Sequence, residues 1–477
     1  MQYCIAMNRA MQKRIAVALL LGLAIAAFGL GSSLYPGSSP PGQGPFIIYS
    51  LTLTDAHLRV VHVRGRVFGS TARTVSLRAF AGPGGKRLEP IGLRATGPLG
   101  ARLAVEAGDG TWTVASGGRD FSYEYDVGLT IENRYAADVR DMMTVLGDDR
   151  SRILGKDVFL VPELPVAGGI VVDFAMRPGW RLSASSPSVR NRVIVSDLAE
   201  LPLTMAASGD YRILTRRIGD CSIVLAIADS WAFSDEEFFD VLCRIVAEEM
   251  ALFGPSPRER YLFVCDRNPV MGAERFDYYG IHYGGSMMLL LDPRLDRSDL
   301  MGTPMAIIAH EFLHSWNGEE LEPSGNGFLW FTEGVTNFCS YRVLREANVI
   351  TAEQYESRRR AISERYDANP YTTKVPIGDA ANSDMRDKNM VNLLYDGGFL
   401  VAQALDGRLR AESGGAVTLV DVVRRMCENA HGGAPADEAA FLAAARELAG
   451  GDLSGYLREL VHTPAPKSLA LASSSLE

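Results

Sequence analysis

Apolar and polar positions are arranged differently in successive parts of the chain. Alternation with a period of two over 47–53, 57–68, 74–80 and 121–131 predicts strands with one buried face. Turn clusters such as Ala81-Gly82-Pro83-Gly84-Gly85 separate them. Weaker signals at 170–174, 181–182 and 192–194 continue the pattern, so 46–209 reads as a β-rich sandwich or saddle. The texture changes near residue 210. Segments 211–214 and 221–228 read as strands, and 261–265 and 287–291 as buried ones. Helical spacing runs over 234–252 through Phe238, Val241, Leu242, Ile245 and Met250, and dominates after Thr303. The fold class expected is multidomain α+β: a β-rich domain at 46–209, a mixed domain at 210–368 and a helical domain at 369–465, with a tail at 466–477.

At 477 residues the chain is too long for one hydrophobic core, which agrees with that division. Arg9, Lys13 and Arg14 precede sixteen uncharged residues, 15–30, and no charge follows until Asp55. This is the layout of an export signal or an amino-terminal anchor, followed by a Gly/Pro/Ser linker at 31–45. An exported location is expected, periplasmic or extracellular, or attached to a membrane through residues 15–35. Overall the chain holds 48 basic and 57 acidic residues. Removing the three basic residues of the leading segment leaves 45 against 57, a balance of −12, which argues against nucleic acid as a partner. Six cysteines without CxxC spacing exclude a disulfide scaffold and a thiolate zinc site, and read as small buried hydrophobes.

The chemistry concentrates in His310-Glu311-Phe312-Leu313-His314. Thr303 is expected to cap a helix with Pro304 in its first turn. Met305, Ile308, Phe312 and Trp316 form its buried stripe, while His310, Glu311 and His314 share the neighbouring face. Histidines four apart on a helix project side by side, so both imidazoles can bind one ion at about 2.0–2.1 Å. Glu311 lies close enough to take a proton from a water at that ion. Glu333, separated from His314 by eighteen residues, supplies the carboxylate a third ligand requires and leaves a fourth position open. Asn317-Gly318 gives a helix end, and Asn337, one turn after Glu333, is placed to hydrogen-bond a ligand histidine. His282 is expected near the edge of the cleft.

His-Glu-x-x-His, the eighteen-residue gap and Glu333 within Trp330-Phe331-Thr332-Glu333-Gly334 resemble the zinc signature of the gluzincin peptidases. HEFLHSWNGEEL and LWFTEGVTNF are most similar to the glycyl aminopeptidase family, as are Gly179-Trp180, the stretch Ser196 to Leu201 and Tyr283-Gly284-Gly285. The resemblance implies a thermolysin-like catalytic domain between a β-rich and a helical domain, one Zn²⁺ per chain, and a peptide or protein substrate. It also implies that Tyr395, in Leu394-Tyr395-Asp396-Gly397-Gly398, stabilises an oxyanion.

The chain departs from the family pattern in three places. Gly397 stands where relatives carry a lysine after that tyrosine. After the glycines Gly284 and Gly285, taken as substrate-binding, Met287 stands where relatives place a glutamate that holds the substrate's α-amine. An endopeptidase or dipeptidase is therefore the alternative to an aminopeptidase, and an inactive zinc-stabilised binding protein a third reading. Finally, no room is expected for the PDZ module many relatives append.

Overall fold

The computed structural model describes residues 44–53, 59–80, 87–129, 144–166, 169–268, 278–385, 387–431, 435–467 and 469. The leading segment 1–30, nearly all of the linker, Cys4 and most of the tail lie outside the described residues. Among those described, no helix is long and apolar enough to cross a membrane.

The amino-terminal half is built on an eight-stranded sheet. Its central strand Phe46–Thr52 runs antiparallel to Val60–Phe68 on one side and parallel to Ile170–Ala175 on the other. Alternation in sequence becomes alternation in burial: Ile47, Tyr49 and Leu51 are buried between partly exposed neighbours. A four-stranded sheet containing Val75–Arg78 and Thr111–Val114 shares this core. The core also takes three tyrosines, whose hydroxyls are satisfied: Tyr49 donates to the Leu160 carbonyl at 2.9 Å and Tyr125 to that of Val158 at 2.7 Å, while Tyr123 donates to Tyr49.

The next layer is a five-stranded sheet in the order Arg212–Ile218, Cys221–Ile227, Arg260–Arg267, Ser286–Leu291, Tyr279–Tyr283. Its three central strands are parallel and both edge strands antiparallel. The central strands are buried on both faces, hence their continuous apolar sequences. Val224, Ala226, Leu262, Val264, Met288 and Leu290 face a small sheet that includes Arg150–Leu154 and Met205–Gly209. The alternate positions, Ile223, Leu225, Tyr261, Phe263, Met287 and Leu289, face the helices. Ion pairs tie the two sheets together: Arg150 reaches Asp229 at 2.9 Å, and Arg152 pairs with Asp266, which also accepts from Tyr211.

Eight helices of two turns or more are described: α1 Asp235–Phe253, α2 Thr303–Leu313, α3 Leu329–Glu346, α4 Ala352–Asp367, α5 Lys388–Glu412, α6 Leu419–Ala430, α7 Glu438–Ala449 and α8 Ser454–His462. They share one apolar core with the five-stranded sheet, so the helical end of the chain packs onto that sheet. Ser234 and Glu237 cap α1 reciprocally. The five described cysteines are buried, as expected of small hydrophobes, and unpaired.

Candidate metal centre

Helix α2 starts one residue earlier than its sequence suggested. Gly302, not Thr303, takes the cap position, and Pro304 lies in the first turn. Met305, Ile308, Phe312 and Leu313 are buried, with the Phe312 ring edge-on to Tyr261 and Trp316. The helix ends at His314. The chain then makes a single wide turn, Ser315–Glu320, closed by bonds from Glu319 N to His314 O and from Leu321 N to Trp316 O, both 2.9 Å. Gly318 is required in it. Its φ is 157°, and a Cβ would lie 3.2 Å from His314 Nδ1.

That turn brings the Asn317 carbonyl back to His314 Nδ1 at 2.9 Å. The Asn317 side-chain amide donates to the carbonyls of Phe331 and Thr332, both 3.2 Å, and to Thr336 Oγ1 at 3.1 Å, fastening the turn to α3. His310 Nδ1 meets Asn337 Oδ1 at 3.0 Å, where the sequence placed that contact. Both rings thus have an acceptor at Nδ1, which assigns the proton there and leaves both Nε2 lone pairs facing each other.

The Nε2 atoms are 3.1 Å apart, and Glu333 Oε2 lies 3.2 Å from that of His310 and 3.8 Å from that of His314. A tetrahedral zinc site with bonds of about 2.0–2.2 Å has ligand-to-ligand edges of about 3.3–3.5 Å, so two imidazoles and a carboxylate at these separations fit the ion. The three form the metal-capable group found among the described residues. Although burial opposes it, positive charge on the two imidazoles, present only when they are protonated on both nitrogens, would lower the Glu333 carboxyl to about 2.

Helices α3 and α5 cross at two glycines. A Cβ on Gly334 would lie 2.3 Å from Gly398 Cα, and one on Gly398 would lie 2.7 Å from the Trp330 carbonyl. This close crossing puts Tyr395, one turn before Gly398, beside Glu333 and over the His310 ring, with centroids 5.8 Å apart. Burial and the Glu333 charge push the Tyr395 phenol well above its ordinary range, so it stays a donor. The Gly397 departure has a packing reason: a Cβ there would press on Ile377 and Tyr366 at 3.0–3.2 Å. Trp330 and Phe331 are wholly buried.

Glu311 faces the edge strand Tyr279–Tyr283, and its Oε2 accepts the His282 N–H at 2.8 Å. Burial pushes its carboxyl above the usual glutamate range; His314 opposes this and the Glu333 charge adds to it. The strand passes so close to α2 that a Cβ on Gly280 would lie 2.2 Å from Ile307 Cγ2 and 3.4 Å from Glu311 Cγ.

Here the structure corrects the sequence reading. Gly284 and Gly285 sit at the hairpin beyond the edge strand, Gly284 with φ 50°, and the backbone beside Glu311 is that of Gly280 and His282. Met287 belongs to the inner strand and is wholly buried in the apolar core. It cannot stand at an amine-anchoring position, because none of its surface is open to a substrate. Gly280 and the His282 N–H went unnoticed because backbone groups leave no motif. The signal that could have found them is Gly280 itself, a glycine inside a strand pattern, which marks a close approach.

Residues 303–401 match the family model of M61 glycyl aminopeptidase. That match falls on the helices carrying His310, His314, Glu333 and Tyr395. Over that segment the chain is similar to the glycyl aminopeptidases. Similar folds extend well beyond the matched segment. An aminopeptidase N family protein from Idiomarina loihiensis superposes with a TM-score of 0.74 at 18% identity, over 88% of this chain and 76% of that one. An M1 zinc metallopeptidase from Deinococcus radiodurans gives 0.54 at 14% identity, over 90% and 96%. No curated protein matches the chain in sequence.

Proposed function

We propose that the protein is an exported single-zinc peptidase that hydrolyses peptide bonds, resembling the glycyl aminopeptidases, with Glu311 as its general base. The observation that carries this reading is the convergence of His310 Nε2, His314 Nε2 and Glu333 Oε2 at 3.1–3.8 Å, with Glu311 beside them. Those three side chains would hold the ion. A bound zinc supplies Lewis acidity and lowers the pKa of water towards about 7. Glu311, held by the His282 N–H, takes a proton from the attacking water as its oxygen adds to the scissile carbonyl carbon. It then delivers that proton to the leaving amine nitrogen as the C–N bond breaks. Tyr395 donates a hydrogen bond to the carbonyl oxygen, and that bond strengthens as negative charge develops. Asn337 and the Asn317 carbonyl orient the two imidazoles.

The basic and apolar pattern of residues 9–30 supports export, and 46–209, 210–368 and 369–465 remain the proposed domains. The aminopeptidase reading is supported by the family match. The endopeptidase alternative rested on Met287, whose burial removes that basis. A peptide-library digest read by mass spectrometry tests the proposal. Chelator-sensitive removal of amino-terminal residues is expected; internal cleavage of acetylated peptides would favour an endopeptidase, and no chelator-sensitive cleavage would refute the reading.

A further inference from the structure

Glu311 is held by a backbone group on a strand that, among the described residues, has a sheet neighbour on one side only. Main-chain pairing with Ser286–Leu291 alone would leave that wall free to shift away from α2. The His282 side chain supplies what the sheet does not. It is nearly buried, and both ring nitrogens are engaged: Nδ1 meets the Tyr261 hydroxyl at 2.7 Å and Nε2 meets Glu319 Oε1 at 2.8 Å. Because a carboxylate only accepts, the proton belongs on Nε2, and Nδ1 accepts from Tyr261.

The two partners are themselves fixed. Tyr261 lies on the central strand Arg260–Arg267, wholly buried, with its ring against Phe312 of α2. Glu319 belongs to the wide turn after His314, and its other oxygen accepts from Arg258 Nε at 3.0 Å. Arg258 Nη1 in turn donates to both Glu200 oxygens at 2.8 Å. One imidazole therefore joins the edge strand, the central strand and the turn that leaves the metal ligand His314, whose ring centroid is 6.2 Å away.

We propose that His282 is a positioning residue: locked between Tyr261 and Glu319, its ring fixes the edge strand so that the His282 N–H holds Glu311 in reach of the attacking water. This rests on the peptidase reading above. An apolar residue at 282 would fill similar space but leave the inner oxygen of Glu319 short of a partner and return the Tyr261 hydroxyl to the Ser286 carbonyl, 3.2 Å away on the inner strand, so the wall would relax. A base misplaced by a fraction of an ångström loses rate and not substrate affinity, because binding does not use it.

The test measures kcat, KM and zinc content for the full-length protein on one peptide. His282→Ala should keep about one zinc and a KM within about threefold of wild type, while kcat falls about 10- to 100-fold. His282→Gln, whose amide N–H can reach Glu319, should recover part of the loss. Should His282→Ala not fold, Tyr261→Phe and Glu319→Gln each weaken one of the ring's two bonds, and each should lower kcat at constant KM. A folded, zinc-loaded His282→Ala protein with kcat within twofold of wild type would overturn the proposal. So would an effect confined to KM, which would make the ring a substrate contact. An inactive wild type is a different result, and refutes the peptidase reading itself.

Discussion

The corner that gathers His310, His314 and Glu333 and the strand that faces it are fixed by different means. In the corner, position follows from helical spacing: four residues along α2 place both imidazoles side by side, and α3 brings Glu333 to them. The Nδ1 partners are a side chain on α3 and a carbonyl in a turn fastened to α3, so hydrogen bonds join the three candidate ligands into one unit. The facing wall is an edge strand whose contribution is a backbone N–H, a missing side chain at Gly280 and a ring held by distant partners. The corner defines which chemistry is possible. In the proposed mechanism, the wall defines how well the base is aimed.

Substitutions in the corner should therefore be the more severe. His310→Ala, His314→Ala and Glu333→Ala each remove one of three protein ligands, and each is expected to lose most of the zinc and all measurable hydrolysis. Atomic absorption on the purified proteins checks this, and normal zinc in all three would break the account of the corner. Tyr395→Phe keeps the packing over His310 but removes the donor, so kcat should fall by roughly 10²–10³ with KM little changed. Steady-state kinetics reads it, and a change in KM alone would return Tyr395 to a packing role.

On the wall, Gly280→Ala forces a methyl group into Ile307 and should lower kcat about tenfold while zinc stays bound. Loss of zinc instead would mean that wall and corner are not separable. The smallest effect is expected at Met287. As a core residue it should tolerate Met287→Leu with less than about 1.5 kcal/mol lost in denaturant unfolding and kcat/KM within about twofold. A shift in substrate preference without a stability change would restore Met287 to the substrate.

This contrast also explains what could be read from the sequence. Strands such as Phe46–Thr52 announce themselves because one face is buried and the other is not. The corner was legible for a related reason: ligand residues are rare chemical types at helical intervals, and Asn337 followed from the same periodicity. Strand Ser286–Leu291 is apolar throughout, and a strand buried on both faces carries no alternation to say which side chains face the helices. Met287 could therefore be placed at the substrate by resemblance alone, and only the hairpin register His282↔Met287 separates the inner strand from the wall. The glycines had packing reasons invisible in sequence. Gly334 and Gly398 are required by a helix crossing that involves residues 64 positions apart.

The central claim, that Glu311 is the base of a zinc peptidase, is tested most directly by pairing metal content with turnover in Glu311→Gln. The amide keeps the size of the side chain and can still accept the His282 N–H, but it cannot take a proton from water. Wild type and Glu311→Gln should both hold about one zinc per chain, and the variant should lose peptide hydrolysis by several orders of magnitude. A variant that retains its zinc and hydrolyses peptides within tenfold of wild type would contradict the account.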